Sequence, residues 1–151
     1  MGSRNGIPMD RSDWFQRLDE LARTIRGAQA GREIHLLRLF LDLIDHVPEL
    51  ALLQGITPPA RDRIEAMLAA GATESAVMML MGQDSGFCLS RGADGAPLAS
   101  ILLPYRFQES TAGGASLTLA CLAALADALN GAQGQTAGSA PFEIPADILL
   151  H

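Results

Sequence analysis

The segment from Ser116 to Asn130 is the sequence feature that most constrains the fold. After Ser116 it is an almost continuous run of alanine and leucine, in which only Thr118, Asp127 and Asn130 are strongly polar. Alanine and leucine favour helices, and a helix with so little polar surface has to be buried on several sides. Its alanines permit the close approach of a sheet or of another helix. The rest of the chain therefore has to supply the layers that cover this helix.

Three short runs before this helix alternate in the way that is typical of strands. They are Phe87–Arg91, Pro97–Leu103 and Tyr105–Glu109. Asp94-Gly95 lies between the first two runs and favours a tight hairpin, because these residues readily take the positive φ angles that such turns need. Gly113-Gly114 then ends the alternation. The pattern predicts a small three-stranded antiparallel sheet that is covered by the final helix.

The first half of the chain is predicted to be helical. Ser12 is a suitable N-cap for a first helix, which ends in the glycine-containing segment after Arg26. Further helices are predicted at Arg32–Val47, at Pro58–Ala70 with Thr57 as its N-cap, and at Thr73–Met81, with a short turn at Glu49–Leu53. Because Ala76–Met81 is continuously apolar, periodicity leaves a buried strand open there, but the Thr-Glu-Ser start and the Met and Leu residues favour a helix.

Length and composition indicate one domain of the α+β class. The chain has 151 residues, of which 48% are hydrophobic and 19% are charged, so it can bury a core of its own. We expect a single α+β domain over residues 11–130, with a helical half at 11–82 and the sheet plus helix at 85–130. Residues 1–10 are predicted to be a disordered lead-in. Residues 131–151 are predicted to be a flexible linker and an apolar tail, Phe142–Leu150, which should dock at a place that the pattern does not identify.

Part of the chain resembles small uncharacterised α+β, sandwich-like domains from phage-related and proteobacterial genomes. The similarity covers about Ile64 to Asn130 and is carried by the segments Ile64–Ala72 and Ala115–Leu125. The tail Glu143–Leu149 also resembles a tail in some phage sandwich domains. The aromatic residues that those domains carry in their sheet are largely missing here. The resemblance implies an α+β fold and a phage-related origin, and it implies no activity and no site residues.

Charge and hydropathy disfavour two classes of partner. The formal net charge is −6, which disfavours generic binding to nucleic acid. All eleven positive side chains are arginine, and nine of them lie in the first seventy residues together with ten acidic residues. No apolar run reaches the roughly 18 residues of a transmembrane helix, and the N-terminus lacks the apolar segment of a signal peptide. We therefore predict no nucleic-acid partner, no membrane partner and a cytoplasmic location.

The residues that bear reactive or metal-binding groups form no recognised motif. His35, Asp42 and His46 share one side of the second predicted helix, but the two histidines are about 16 Å apart along it, too far for one ion. A solvated polar stripe without a metal is the better interpretation. Cys88 and Cys121 are predicted to be buried free thiols, because they lack a CxxC spacing and have apolar neighbours. With no phosphate-binding loop and no serine elbow, we predict no cofactor and no catalytic residue, and we do not expect an enzyme.

The leading functional hypothesis is a non-catalytic accessory or protein-interaction domain that self-associates, with an unidentified protein partner. It rests on the helix Arg32–Val47, whose apolar residues cover more than one face. We place the interface of a homodimer on the first two helices. The residues assigned to it are Trp14, Phe15, Leu18 and Phe40. The alternative is a small-molecule-binding module, with a pocket between the Met-rich helix Thr73–Met81 and the sheet.

Overall fold

The computed structural model describes residues 9–131, in which helices come first, three strands follow and a final helix ends the range. The elements in chain order are α1 (Arg11–Arg26), α2 (Glu33–Asp45), a 3₁₀ helix (Leu50–Leu53), α3 (Arg61–Ala69), α4 (Thr73–Met81), β1 (Gly86–Arg91), β2 (Pro97–Leu102), β3 (Ser110–Gly113) and α5 (Leu117–Asn130). The α+β class is confirmed. The predicted lead-in, up to residue 8, and the predicted linker and tail from residue 132 lie outside the described residues.

The three strands form one antiparallel sheet in the order β1-β2-β3. Leu89 lies opposite Ala99, which lies opposite Ala112 on its other side, so these three residues share one face of the sheet. Ala99 and Ala112 are buried, and α5 packs on β2 and β3. The neighbouring register places Cys88 opposite Ser100 on the other face. The predicted arrangement, a sheet covered by the final helix, is therefore confirmed.

Helix α5 is the central element, since the sheet packs on one side of it and α1 on another. Leu122 and Leu125 on α5 have no exposed surface. Burying a leucine of this kind contributes about 1.5–3 kcal/mol to the free energy of folding. Gly114 makes the close approach possible, because a Cβ at this position would lie 2.6 Å from the backbone nitrogen of Ala120. Gly113-Gly114 is thus a strand-to-helix connection in which the second glycine is sterically required.

The start of α1 differs slightly from the prediction. The helix begins after Asp10 and not after Ser12. The Asp10 carboxylate accepts a hydrogen bond of 2.8 Å from the backbone N–H of Asp13, which satisfies one of the free donors of the first turn. Asp10 is therefore the N-cap, and Ser12 lies inside the first turn.

The start of α3 differs by three residues, because this helix begins at Arg61. Its N-cap is Ala60, which has an extended backbone conformation and makes no side-chain capping bond. Thr57 precedes two prolines, and a residue before proline is disfavoured in the helical region of φ/ψ space. The Pro-Pro pair therefore keeps this segment extended, and Thr57 does not cap the helix.

The third strand lies five residues further along the chain than predicted. Tyr105–Glu109 forms turns and bends, and the strand is Ser110–Gly113. The backbone N–H of Arg106 donates to the carbonyl of Leu103 at 3.1 Å, which turns the chain immediately after β2. The alternation in this segment belongs to an exposed loop, where 73% of Tyr105 and 84% of Phe107 are accessible.

The segment Thr73–Met81 is a helix, as predicted. Ala76, Val77, Leu80 and Met81 are all buried in it, and α4 contacts α2, α3 and α5. Burial against several neighbours explains why its sequence is continuously apolar. The predicted turn at Glu49–Leu53 is also present, as the 3₁₀ helix. No helix within residues 9–131 is both long enough and apolar enough to cross a membrane.

Candidate functional site

The four residues assigned to a dimer interface lie inside the folded chain. Trp14, Leu18 and Phe40 have no exposed surface, and Phe15 has 2%. The indole N–H of Trp14 donates a 2.8 Å hydrogen bond to the carbonyl of Leu43, and its ring packs edge-to-face on Phe15 with centroids 5.1 Å apart. These side chains hold α1 against α2. In this fold they present no surface to a second copy.

The large apolar side chains that are exposed lie elsewhere. Within residues 9–131 they are Ile34, Leu39, Leu50, Phe87, Tyr105 and Phe107. All three aromatic members belong to the sheet half of the chain, with Phe87 in β1 and the other two in the loop after β2. Because β1 begins opposite the end of β2, these three aromatic residues lie towards the same end of the sheet. Exposed aromatic groups of this kind are enriched in protein–protein interfaces.

Strand β1 lies at the edge of the sheet and, among the described residues, pairs only with β2. The backbone N–H of Gly92 donates to the carbonyl of Ala96 at 2.8 Å, so Gly92 directs its backbone groups towards β2. This direction alternates along an antiparallel strand, and every second residue of β1 therefore directs its N–H and C=O groups away from β2. These residues are Phe87, Leu89 and Arg91, which we call the β1 edge.

The backbone bond on the other side of β2 agrees with this assignment. The carbonyl of Pro97 accepts a hydrogen bond from Gly114 at 3.3 Å, so Pro97 is directed towards β3. Pro97 lies opposite Arg91, and the backbone groups of Arg91 consequently have no partner on β2. Two independent hydrogen bonds, one on each side of β2, therefore identify the same residues of β1 as those whose backbone N–H and C=O groups have no partner on β2.

The side chains along the β1 edge are partly apolar. Phe87 is 47% exposed and Leu89 is half-buried, and both lie on the face that carries α5. The charged residues Asp84 and Arg91 stand at the two ends of this stretch, and both are exposed. Natural sheets usually protect an edge strand with proline, inward-pointing charge or a covering loop. Among the described residues no second strand covers this six-residue edge, which carries an exposed phenylalanine, so its backbone groups are available to another strand.

The opposite face of the sheet carries small polar groups. The hydroxyls of Ser100 and Thr111 are hydrogen-bonded at 2.7 Å. Cys88, on the same face, is exposed, so the prediction of a buried thiol is wrong for Cys88. It is confirmed for Cys121, where burial and then the charge of Glu74 raise the pKa of the thiol to about 11. The difference arises because Cys88 lies on the face of the sheet opposite to the one on which α5 packs, whereas Cys121 lies in α5 itself.

The polar side of α2 is engaged in surface ion pairs. Arg61 contacts Asp42 at 3.0 Å and Asp45 at 3.3 Å, and a ring nitrogen of His46 lies 2.7 Å from the backbone carbonyl of Asp42. His35 is exposed near the start of the helix. In the part of the chain that the structure describes, no group of three or more His, Cys, Asp or Glu side chains could hold a metal ion.

The alternative hypothesis places a small-molecule pocket between the Met-rich helix and the sheet. At the end of α4 the structure has an open depression of about 360 Å³ that also reaches Pro104, just after β2. Met79 and Met81 line it together with Arg63 and Gln83. None of its lining residues belongs to β1, β2 or β3, and the depression is open and mixed in polarity, so it points to no ligand class.

Comparison with known proteins gives no relative: no protein-family model, no curated protein and no solved structure matches this chain. The similarity to phage-related and proteobacterial domains therefore stays a prediction. Among the described residues, the β1 edge is the feature with the most specific chemistry.

Proposed function

We propose that this chain is a non-catalytic interaction domain that forms a homodimer by pairing β1 with β1 of a second copy. The observation that supports the proposal is the β1 edge, at which Phe87, Leu89 and Arg91 direct their backbone N–H and C=O groups away from β2. A strand from another chain satisfies such a row of donors and acceptors. This proposal keeps self-association and moves the contact from the first two helices to the sheet.

A second copy is a suitable partner because the β1 edge is self-complementary. A two-fold axis brings the same residues of both copies together, and each strand then satisfies the other. One register that fits sets Phe87 opposite Leu89 of the second copy. In this register Arg91 lies beside Ser85 and Asp84 of the second copy, so opposite charges meet at both ends of the paired strands. The two copies together would form a six-stranded antiparallel sheet.

The side chains determine how strong such pairing can be. Phe87 is 47% exposed and Leu89 is half-buried, so each loses apolar surface to water when a second strand covers them. Because the dimer has a two-fold axis, each contact between the two strands occurs twice. Pairing along a single six-residue strand nevertheless buries a small interface, and we expect a dissociation constant on the order of 10 μM.

Sedimentation velocity over a range of protein concentrations tests the proposal on the full chain. Phe87→Lys places a charge on the β1 edge, and we expect it to raise the dissociation constant at least about tenfold. Phe107→Lys is the matched control, because it alters an exposed aromatic residue in the neighbouring loop and leaves β1 unchanged. A monomer at about 300 μM, far above the expected dissociation constant, would contradict the proposal. Equal effects of the two variants would also contradict it.

Hydrogen exchange identifies what occupies the edge. We expect the amides of Phe87, Leu89 and Arg91 to become protected as the protein concentration rises. Cys88 and Ser90 direct their amides towards β2 and should be protected at every concentration. Protection of the three edge amides in a monomer at low concentration would show that a segment of the same chain, such as Phe142–Leu150, is the occupant.

A further inference from the structure

A cleft lies beside the β1 edge, between the second half of β1 and the start of α5. It has a volume of about 260 Å³ and is lined by Leu89, Ser90, Arg91, Pro97 and Leu117. Of the three strands, β2 and β3 carry most of the packing with α5, and Leu117 is the first residue of that helix. The part of β1 next to the helix is therefore left partly uncovered, and we call this space the β1–α5 cleft.

The register of the sheet places the β1–α5 cleft on the face that carries α5. Leu89 lies opposite Ala99, which is buried on that face. Arg91 lies opposite Pro97, two residues further along each strand, so this pair shares the same face. Leu89 and Leu117 are both half-buried. The two leucines are consequently apolar walls of the cleft that still have surface exposed to water.

The β1–α5 cleft has room for one aromatic ring. An apolar cavity of about 150 Å³ can hold a benzene molecule, and this cleft is larger. None of its lining residues is aromatic. Phe87 of the same chain is 47% exposed and does not reach the cleft. The cleft and the exposed ring are therefore separate features of one copy, and each can meet its counterpart on another copy.

We propose that the β1–α5 cleft receives the phenyl ring of Phe87 of a second copy. The inference rests on the proposed pairing of β1 with β1, and it identifies the side-chain contact that makes this pairing selective. In the register that sets Phe87 opposite Leu89, the two side chains share one face of the paired strands. The ring from one copy thus lies beside the Leu89 wall of the cleft in the other. The two-fold axis repeats the contact, so two rings are buried in each dimer.

Arg91 adds charge complementarity at the cleft. It takes part in none of the ion pairs of residues 9–131, and its guanidinium donates a hydrogen bond of 3.5 Å to the carbonyl of Gly95. In the proposed register Asp84 of the second copy lies beside Arg91, and both residues are exposed. The opposite charges favour this register over others in which Arg91 meets no carboxylate.

The cleft gives the β1 edge a means of selecting its own copy. Backbone pairing between strands is nearly independent of sequence, whereas a pocket for one side chain distinguishes between partner sequences. A buried aromatic ring also contributes a large part of the binding energy at an interface. We therefore expect a strand without an aromatic residue at the position of Phe87 to pair weakly with β1.

A double-mutant cycle, followed by sedimentation velocity of the full chain, tests the insertion. Phe87→Ala removes the ring, and Leu117→Gln removes an apolar wall of the cleft without changing β1. Each should raise the dissociation constant about tenfold. The double variant should raise it little further than either change alone, because both remove the same contact. Leu50→Gln, at an exposed leucine of the 3₁₀ helix, is the matched control and should leave the dissociation constant unchanged.

A disulfide between the copies tests the register in the unmodified chain. The same register sets Cys88, which is exposed, opposite Cys88 of the second copy. Both residues direct their backbone groups towards their own β2, so their Cα atoms should be about 4.5 Å apart. This separation is within the range of about 4.4–6.8 Å that a disulfide requires. Diamide, which takes two electrons and two protons from two thiols, should therefore join the copies by an S–S bond, and a non-reducing gel measures the rate.

A thiol that is moved two residues along the same face is the matched control for the disulfide. In Cys88→Ser combined with Ser90→Cys, position 90 lies opposite Gly86 of the second copy. The two introduced thiols are then four residues apart along the strands, which is about 14 Å. We expect diamide to link this variant at least about tenfold more slowly than the unmodified chain, because the Cα atoms are too far apart for a disulfide.

The outcomes separate the insertion from the strand pairing. If Leu117→Gln leaves the dissociation constant unchanged while Phe87→Lys raises it, the insertion is overturned and the pairing of β1 with β1 stands. Fully additive effects in the double variant would also overturn the insertion. If Leu117→Gln does not fold, the disulfide decides, and equal rates for the unmodified chain and the moved thiol would overturn the proposed register. A monomeric unmodified chain would overturn both proposals.

Discussion

The indole N–H of Trp14 donates a hydrogen bond of 2.8 Å to the backbone carbonyl of Leu43. Trp14 lies in the first turn of α1 and Leu43 in the last turn of α2, so the bond joins the start of one helix to the end of the next. The same carbonyl also accepts the N–H of His46 at 3.1 Å. The largest side chain of the chain is therefore fixed in the interior by both its ring and its polar group.

Replacement of Trp14 should lower the stability of the chain. Trp14→Phe removes the donor to Leu43 and leaves unfilled volume in the core, and we expect a loss of about 1–3 kcal/mol in the free energy of unfolding. Urea denaturation followed by circular dichroism measures it. Phe107→Leu, in the exposed loop, is the control and should change stability by less than about 0.5 kcal/mol. A shift in self-association without a loss of stability would instead assign Trp14 to an interface.

The central position of α5 predicts a large effect of truncating its leucines. Leu122→Ala and Leu125→Ala each remove a side chain with no exposed surface, and each should cost about 2–5 kcal/mol. Leu50, which is 77% exposed in the 3₁₀ helix, is the matched control, and Leu50→Ala should cost no more than about 0.5 kcal/mol. Chemical denaturation of the three variants under one set of conditions provides the comparison. Similar losses in all three would remove α5 from the core.

Two glycines with different surroundings should respond in opposite ways to alanine. In Gly114→Ala the new Cβ would lie 2.6 Å from the backbone nitrogen of Ala120, so α5 must shift, at a cost of about 1–3 kcal/mol. In Gly27→Ala the nearest atom is the carbonyl oxygen of Arg23 at 3.7 Å, and φ is −88°. The second variant should be neutral or more stable by up to about 1 kcal/mol, because alanine restricts the unfolded chain. Melting temperatures distinguish the two results.

The two thiols should differ in reactivity. Cys88 is exposed, whereas Cys121 is buried and the pKa of its thiol is raised to about 11, mainly by burial. Because the thiolate is the reactive form, a disulfide reagent near neutral pH should modify one thiol per native chain and both after unfolding. Cys88→Ser should abolish the fast reaction. Rapid modification of both thiols in the native chain would contradict the buried position of Cys121.

Asp127 should give the stability a specific dependence on pH. Burial and the nearby Asp19 raise the pKa of Asp127 more than the ion pair with Arg26 lowers it. The folded chain therefore binds this proton more tightly than the unfolded chain, and the resulting stabilisation is lost as the pH rises through the raised pKa. The melting temperature of the unmodified chain, minus that of Asp127→Asn, should fall between about pH 3 and pH 7. A difference that rises with pH would contradict the dominance of burial.

The features that the sequence predicted correctly depend on neighbouring residues. The apolar run of α5 and the Asp94-Gly95 hairpin are specified by local periodicity and turn chemistry, and both are present. The third strand was misplaced because Tyr105–Glu109 alternates although its side chains are exposed, and a turn after β2 is not visible in such a pattern. Local patterns therefore predicted which helices and strands exist better than they predicted the first and last residue of each.

Features that depend on distant contacts were not predictable in the same way. Phe40 is apolar whether the rest of its own chain or a second copy covers it, so its sequence context cannot distinguish core from interface. The exposure of Cys88 follows from the register of the sheet, which puts its side chain on the face opposite to α5.

The position of α5 at the end of the described chain has a consequence for biosynthesis. The ion pair between Arg26 and Asp127 joins residues 101 positions apart, and the packing of α1 on α5 spans a similar separation. A ribosome adds about 5–20 residues per second. The faces of α1, β2 and β3 that will pack on α5 therefore leave the ribosome seconds before α5 does. Contacts of such long sequence separation also form slowly. The nascent chain therefore exposes its future core until α5 emerges, and this interval is when it is most susceptible to aggregation.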